Sequence, residues 1–135
     1  MIHCEDPKFL DVVKEHLLYH KIVDVIQHGD GQTAELILDN GTVLIAQGNE
    51  GCGGCCNGWY YLTHLANCDN AIMNVELVTD GIEEYSLYVM TEDKRLNILT
   101  YEGDDNGYYG VGFYITVKER KQSAMRQKGI EISGN

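Results

Sequence analysis

Ala34-Glu35-Leu36-Ile37-Leu38-Asp39-Asn40-Gly41-Thr42-Val43-Leu44-Ile45-Ala46 is the stretch whose reading decides the fold. Leu36 and Leu38 share one face of an extended segment, because side chains alternate along a strand. Asn40-Gly41 then sits between two apolar runs, the strongest short signal for a tight hairpin turn. Val43 to Ala46 returns as the partner strand. Upstream, residues 21–28 hold the β-branched run Ile22, Val23, Val25 and Ile26, and Gly29-Asp30-Gly31 closes it with a turn. Three turn-connected strands make an antiparallel meander, since parallel strands need much longer connections.

Working outward, residues 7–20 carry Phe9, Leu10, Val13, Leu17 and Leu18 at helical spacing. Asp6 suits a cap and Pro7 a first helical position. His16 and His20 lie four apart on this expected helix, a metal-holding spacing that lacks an acidic third ligand in register. Toward the C-terminus, strands are expected over residues 59–65, 72–79, 85–90, 96–101 and 108–117. Turns fall at Asp80-Gly81, Glu92-Asp93-Lys94 and 103–107. The expected fold is a single α+β domain over residues 1–117. It is mostly curved antiparallel β-sheet, about seven strands, with one N-terminal helix packed on it. Residues 118–135 read as a polar, partly basic C-terminal tail.

The chain has 135 residues and a net charge of -11. The charge is uneven: residues 118–128 carry five basic side chains against one acidic, whereas residues 1–117 carry five against nineteen. A body this acidic repels nucleic acid, which argues against direct DNA or RNA binding. No basic region followed by an apolar run opens the sequence, and no stretch approaches a membrane span. The expected compartment is the cytoplasm, where thiols stay reduced, and five cysteines cannot all pair.

Residues 49–61 depart furthest from average composition. They hold Cys52, Cys55 and Cys56, four glycines and Trp59, the single tryptophan. Cys52-Gly53-Gly54-Cys55 has the spacing of a zinc knuckle, with His64 or Cys68 as further ligands and His3 or Cys4 as distant ones. A structural zinc site shows two separated ligand pairs, and here the second pair is missing. Adjacent cysteines on a strand also point to opposite faces. A thiol nucleophile would want a histidine base, and His64 is the nearest in sequence. The simpler reading packs the thiols as small apolar groups in a glycine-shaped loop, with no cofactor. The glycines lack the lysine and hydroxyl of a phosphate-binding loop. Asp104-Asp105-Asn106-Gly107 lacks the alternate ligands and distal glutamate of a calcium loop. No catalytic constellation stands out. A ligand would meet backbone at Gly53 and Gly54 and side chains at Trp59, Tyr60, Asn106, Tyr108 and Tyr109. The nine tyrosines suit a half-buried sheet or an oligomer interface.

The order Lys21-Ile22-Val23, Asp39-Asn40-Gly41-Thr42, Cys55-Cys56, Tyr85-Ser86-Leu87-Tyr88, Asn106-Gly107-Tyr108-Tyr109 resembles a family of small domains encoded mainly by bacteriophages. The resemblance covers residues 20–117. It implies a phage context and a host cytoplasm, and it carries no established reaction. The expected function is a non-enzymatic binding protein that counters a host defence system. It would sequester a small nucleotide-like signal or block a host protein, and a homo-oligomer is compatible with either. The alternatives are an acidic nucleic-acid mimic that inhibits a DNA- or RNA-binding host protein, and a small zinc-binding or thiol-dependent domain.

Overall fold

The computed structural model describes residues 1–49, 59–103 and 111–119. Among these residues the chain runs β1 (Ile2–His3), α1 (Phe9–Leu17), β2 (Ile22–Gln27), β3 (Thr33–Leu38), β4 (Val43–Gly48), β5 (Tyr60–Leu65), β6 (Asn74–Asp80), β7 (Glu84–Met90), β8 (Arg95–Gly103) and β9 (Phe113–Lys118). The expectation of about seven strands is therefore corrected to nine, in two antiparallel sheets. One sheet has the order β1-β9-β4-β3-β2 and the other β5-β8-β7-β6. The strand missed in the sequence is β1, whose two residues pair with Ile115 and Tyr114 of β9. A strand that short has no periodicity to read.

The meander expected from the hairpin stretch is present as β2-β3-β4. Asn40 Oδ1 accepts from the Thr42 amide at 3.0 Å, and the Gly41 and Leu38 amides close the turn onto Leu38 and Thr42 carbonyls. Ala34 faces Ala46 and Leu36 faces Leu44 across the register, which sets one apolar face inward. The second sheet holds its own meander, β6-β7-β8. There Tyr85, Leu87 and Val89 point inward opposite Tyr101, Leu99 and Leu96. These inner faces and α1 enclose one hydrophobic core. Each fully buried aliphatic or aromatic side chain contributes about 1.5–3 kcal/mol by leaving water. Phe113 joins the layers, stacked on Tyr101 at 4.9 Å and edge-on to Phe9 at 5.7 Å.

The helix is shorter than its apolar pattern suggests. Phe9, Val13 and Leu17, spaced four apart, are its buried stripe. Asp6 is near its start as expected: its Oδ1 accepts from the Lys8 amide at 2.8 Å, while Lys8 itself is the N-cap. Leu18 is already extended, and Tyr19 has φ 70, a left-handed conformation rare for a bulky side chain. The Tyr19 amide donates to the Ile72 carbonyl at 2.7 Å, so the helix is stopped by a tertiary contact. His20 consequently leaves the helix. It pairs with Asp39 at 2.9 Å rather than lining up with His16.

Gln32 ties the sheets together. Its carbonyl accepts from the Gly48 amide and from the Tyr101 hydroxyl, the latter at 2.6 Å, and its side-chain Nε2 donates to the Tyr60 carbonyl at 3.2 Å. The Leu62 amide also donates to the Gly31 carbonyl at 2.9 Å. Gly48 is required here. A Cβ at that position would lie 2.1 Å from the Tyr60 carbonyl oxygen, so no side chain fits between the layers. Among the described residues no helix is long and apolar enough to cross a membrane. The tail expected at 118–135 starts as the end of β9 at Lys118, and residues 120–135 lie outside the described residues.

Candidate functional site

Two segments singled out in the sequence, 50–58 and 104–110, lie outside the described residues, so Cys52, Gly53, Gly54, Cys55, Cys56, Asn106, Tyr108 and Tyr109 are not placed. Their anchors are placed, and they converge. The Tyr60 amide donates to the Asn49 carbonyl at 3.0 Å, which draws together the two ends of segment 50–58. The Asn49 amide donates to the Gly112 carbonyl at 2.9 Å, which joins that pair to the far end of segment 104–110. Tyr60 faces Gly103 in the β5–β8 register, which brings in the near end. The described residues that flank the two segments therefore lie together.

Around these anchors the side chains are closely fitted. A Cβ on Gly103 would lie 2.4 Å from the Tyr60 ring. Gly112 has φ +76, and a Cβ there would lie 2.4 Å from Cys4 Sγ. The N-terminal segment holds the same corner. His3 Nε2 donates to the Val111 carbonyl, the Cys4 amide donates to the Phe113 carbonyl at 2.9 Å, and the Phe113 amide reaches Cys4 Sγ at 3.5 Å. Tyr85, edge-on to Tyr60 at 5.9 Å, donates its hydroxyl to Glu5 Oε2 at 2.8 Å.

Two ionisable groups of this corner, Cys4 and Tyr85, are held in their neutral forms. Burial pushes the Cys4 thiol up to about 12, against a smaller lowering by the Phe113 amide, so at neutral pH it is not a thiolate. Burial, and then the hydrogen bond to Glu5, also raises the Tyr85 phenol above its ordinary value. Neither group is a ready nucleophile or base.

The described aromatic residues of the expected site divide between two faces. Tyr60 is fully buried and donates its hydroxyl to the Ile82 carbonyl. Tyr61 is 44% exposed and stacks on Trp59 with ring centroids 6.3 Å apart, so the solvent-facing pair at this corner is Trp59–Tyr61. Sequence alternation alone could have separated Tyr60 from Tyr61, but which of them faced out depended on the register with β8.

His64 and Cys68 do not come together. His64 Nε2 donates to the Asn97 carbonyl at 2.8 Å at an exposed position, whereas Cys68 is buried with Sγ directed to the Asn70 carbonyl at 3.3 Å. Among the described residues no group of three His, Cys, Asp or Glu side chains is placed to hold a metal ion.

On the outer face of the second sheet, cross-strand register aligns Asp80, Glu84, Glu102 and Tyr61 in one row at the anchor end. Like charges directly opposite each other destabilise a sheet, so this row is not explained by folding. The next row holds the hydroxyl pair Ser86–Thr100, bonded at 2.8 Å, with Asn97 Nδ2 donating to Thr100 Oγ1 at 2.7 Å. At the opposite end of the sheet, Asn70, Ala71, Met73, Glu92 and Asp93 line a shallow cleft of about 260 Å³.

The sequence profile of a family described as a domain of unknown function, DUF7448, matches residues 15–115. The chain belongs to the DUF7448 family. No curated protein and no solved structure matches it. The DUF7448 match contains every described anchor of the two segments, from Asn49 to Phe113. It leaves out β1, which with Cys4 and Glu5 holds that corner from outside.

Proposed function

We propose that this DUF7448 protein is a non-enzymatic binding protein of phage type that counters a host defence system. It holds its target at the end of the molecule where Asn49, Tyr60, Gly103 and Gly112 meet. The observation that carries this reading is the convergence of these four residues.

Of the two modes open to such a protein, charge favours blocking a host protein over sequestering a nucleotide-like signal. Glu5, Asp80, Glu83, Glu84 and Glu102 surround the anchors, and a phosphate-bearing ligand would meet their field. A basic protein surface would be attracted by the same field.

Isothermal titration with cyclic dinucleotides and ADP-ribose derivatives, run beside affinity capture from host extract, tests this. The expected result is no heat with the nucleotides and one discrete host protein captured. Saturable nucleotide heat would move the assignment to signal sequestration. Silence in both assays would sink the reading. The row Asp80–Glu84–Glu102 also favours a second reading, an acidic mimic of nucleic acid. On that reading duplex DNA competes with the chain for the captured protein.

A further inference from the structure

A sheet with open edges offers unpaired backbone groups to other chains, so each of the four edges here needs an account. Edge β1 is only two residues long. Edge β5 is tied to the first sheet through the Tyr60 and Leu62 amides. Edge β2 is defended three ways. Ile22 exchanges two backbone hydrogen bonds with Cys68, the register is bulged between Ile22 and Asp24, and the Val25 amide is taken up by Asp24 Oδ1 at 2.9 Å.

Among the described residues, edge β6 has none of these devices over its second half. Its seven residues keep an unbroken register with β7, so the strand is regular. Val75 is buried near α1, Glu76 and Leu77 are half-buried, and Val78, Thr79 and Asp80 are exposed. No lysine, proline or bulge interrupts it. Met73 just before the strand, Val78 within it and Ile82 just after it are all exposed apolar side chains. Alternate backbone amides along residues 76–80 face away from β7, as antiparallel pairing requires.

The geometry points to residues 76–80 as a docking edge to which a basic, extended segment of a partner protein adds as a fifth strand. The charge on the page selects this occupant. Glu76, Val78 and Asp80 point to the outer face, with Glu84 beside Asp80 in the next strand and Glu83 in the turn. Glu76 is already paired with Arg95 at 2.5 Å, so a lysine or arginine on the added strand forms its favourable cross-strand pair opposite Asp80. Backbone hydrogen bonds supply affinity and the alternate side chains supply specificity. A second copy of this acidic chain would bring further negative charge to the same edge. The inference deepens the protein-target mode proposed above and rests on it.

The test uses a probe peptide of alternating lysine and valine, titrated into the isotope-labelled chain while backbone amides are followed by NMR exchange. Slowed exchange at alternate amides within residues 76–80, weakened by added salt, is the expected result. Val78→Lys places a like charge against the probe and weakens binding about tenfold, with an unchanged Tm as the check on folding. The same peptide N-methylated at alternate positions on its pairing edge is expected to give no protection. Protection elsewhere, equal binding of the N-methylated peptide, or equal binding of an alternating glutamate–valine peptide overturns the proposal. So does protection of residues 76–80 that rises with protein concentration in the absence of peptide, which would make the occupant a second copy. If host capture fails while the probe still protects this edge, the anti-host reading falls and the docking edge stands. If capture survives Val78→Lys and the probe gives nothing, only the docking edge falls.

Discussion

The β2-β3-β4 and β6-β7-β8 meanders are built on one pattern, yet their outer edges are treated in opposite ways. In the first, Asp24 folds back onto the Val25 amide and a bulge breaks the edge. In the second, β6 runs straight and exposes Val78. The inner faces show no such contrast. Leu36 and Leu44 on one side and Leu87 and Leu99 on the other are all completely buried in a shared core. Stability is therefore common to both meanders, while a regular, unbroken outer strand is found in one of them.

The sharpest way to break that comparison is to ask whether the meanders fold apart. Leu44→Ala and Leu87→Ala should each lower stability by about 2–5 kcal/mol. Because the core is shared, urea unfolding should stay a single transition in both variants. Two transitions in either would show that the layers are separate units. Next in size is the seam between the layers. Gly48→Ala drives a methyl into the Tyr60 carbonyl, and overpacking of this kind costs about 1–3 kcal/mol. Chemical denaturation should show that loss, and NMR shifts should spread from Gln32 to Tyr101.

The Cys4 thiol gives a pH-dependent handle on the same seam. Its folded value is raised to about 12 from the ordinary 9.0, so its contribution is fully present below about pH 9 and is lost as pH rises toward 12. Tyr85 and Tyr101 shift in the same direction and steepen the loss. Urea midpoints measured from pH 8 upward should fall. Cys4→Ala should flatten the early part of that fall, which an unchanged slope would contradict. Asp30 works at the acid end. Its carboxylate accepts from Thr33 Oγ1 and from the Gln32 and Thr33 amides, which lowers its value. Its contribution is present above its ordinary value and is lost as acid protonates it.

The smallest expected effect goes directly to the edges. Asp24→Ala frees the Val25 amide at an exposed strand. It should change stability by about 1 kcal/mol or less while raising self-association, read by light scattering. If Asp24→Ala associates no more than the unsubstituted chain, the difference between the two edges matters less than the geometry suggests.

Much of the local structure was legible because turn chemistry is local. Asn40-Gly41 and Asp80-Gly81 marked their hairpins, and each expected strand from residue 21 onward has a counterpart. What was not legible depends on distant partners. The helix ends at Leu17 because Ile72 captures the Tyr19 amide, although Leu18 continues the apolar pattern. The division into two sheets follows from β4 pairing with β9 rather than with β5, a choice made across more than sixty residues. The candidate site was legible in composition and only partly in geometry. Trp59 sits beside the anchors, but it is Tyr61 that joins it at the surface while Tyr60 fills the core. His64 and Cys68, adjacent in the argument from spacing, end up in an exposed and a buried environment that never meet.

The pairing of Ile2 with Ile115 has a consequence for biosynthesis. Ile2 waits for Ile115, and Phe9 waits for Phe113, its edge-on partner in the core. The five-stranded layer is therefore completed only after translation of β9, while the β6-β7-β8 meander can pair as it emerges. Such long-range pairing places folding in the slower, millisecond-to-second class. A partner strand supplied early enough would meet this protein while it is still being made.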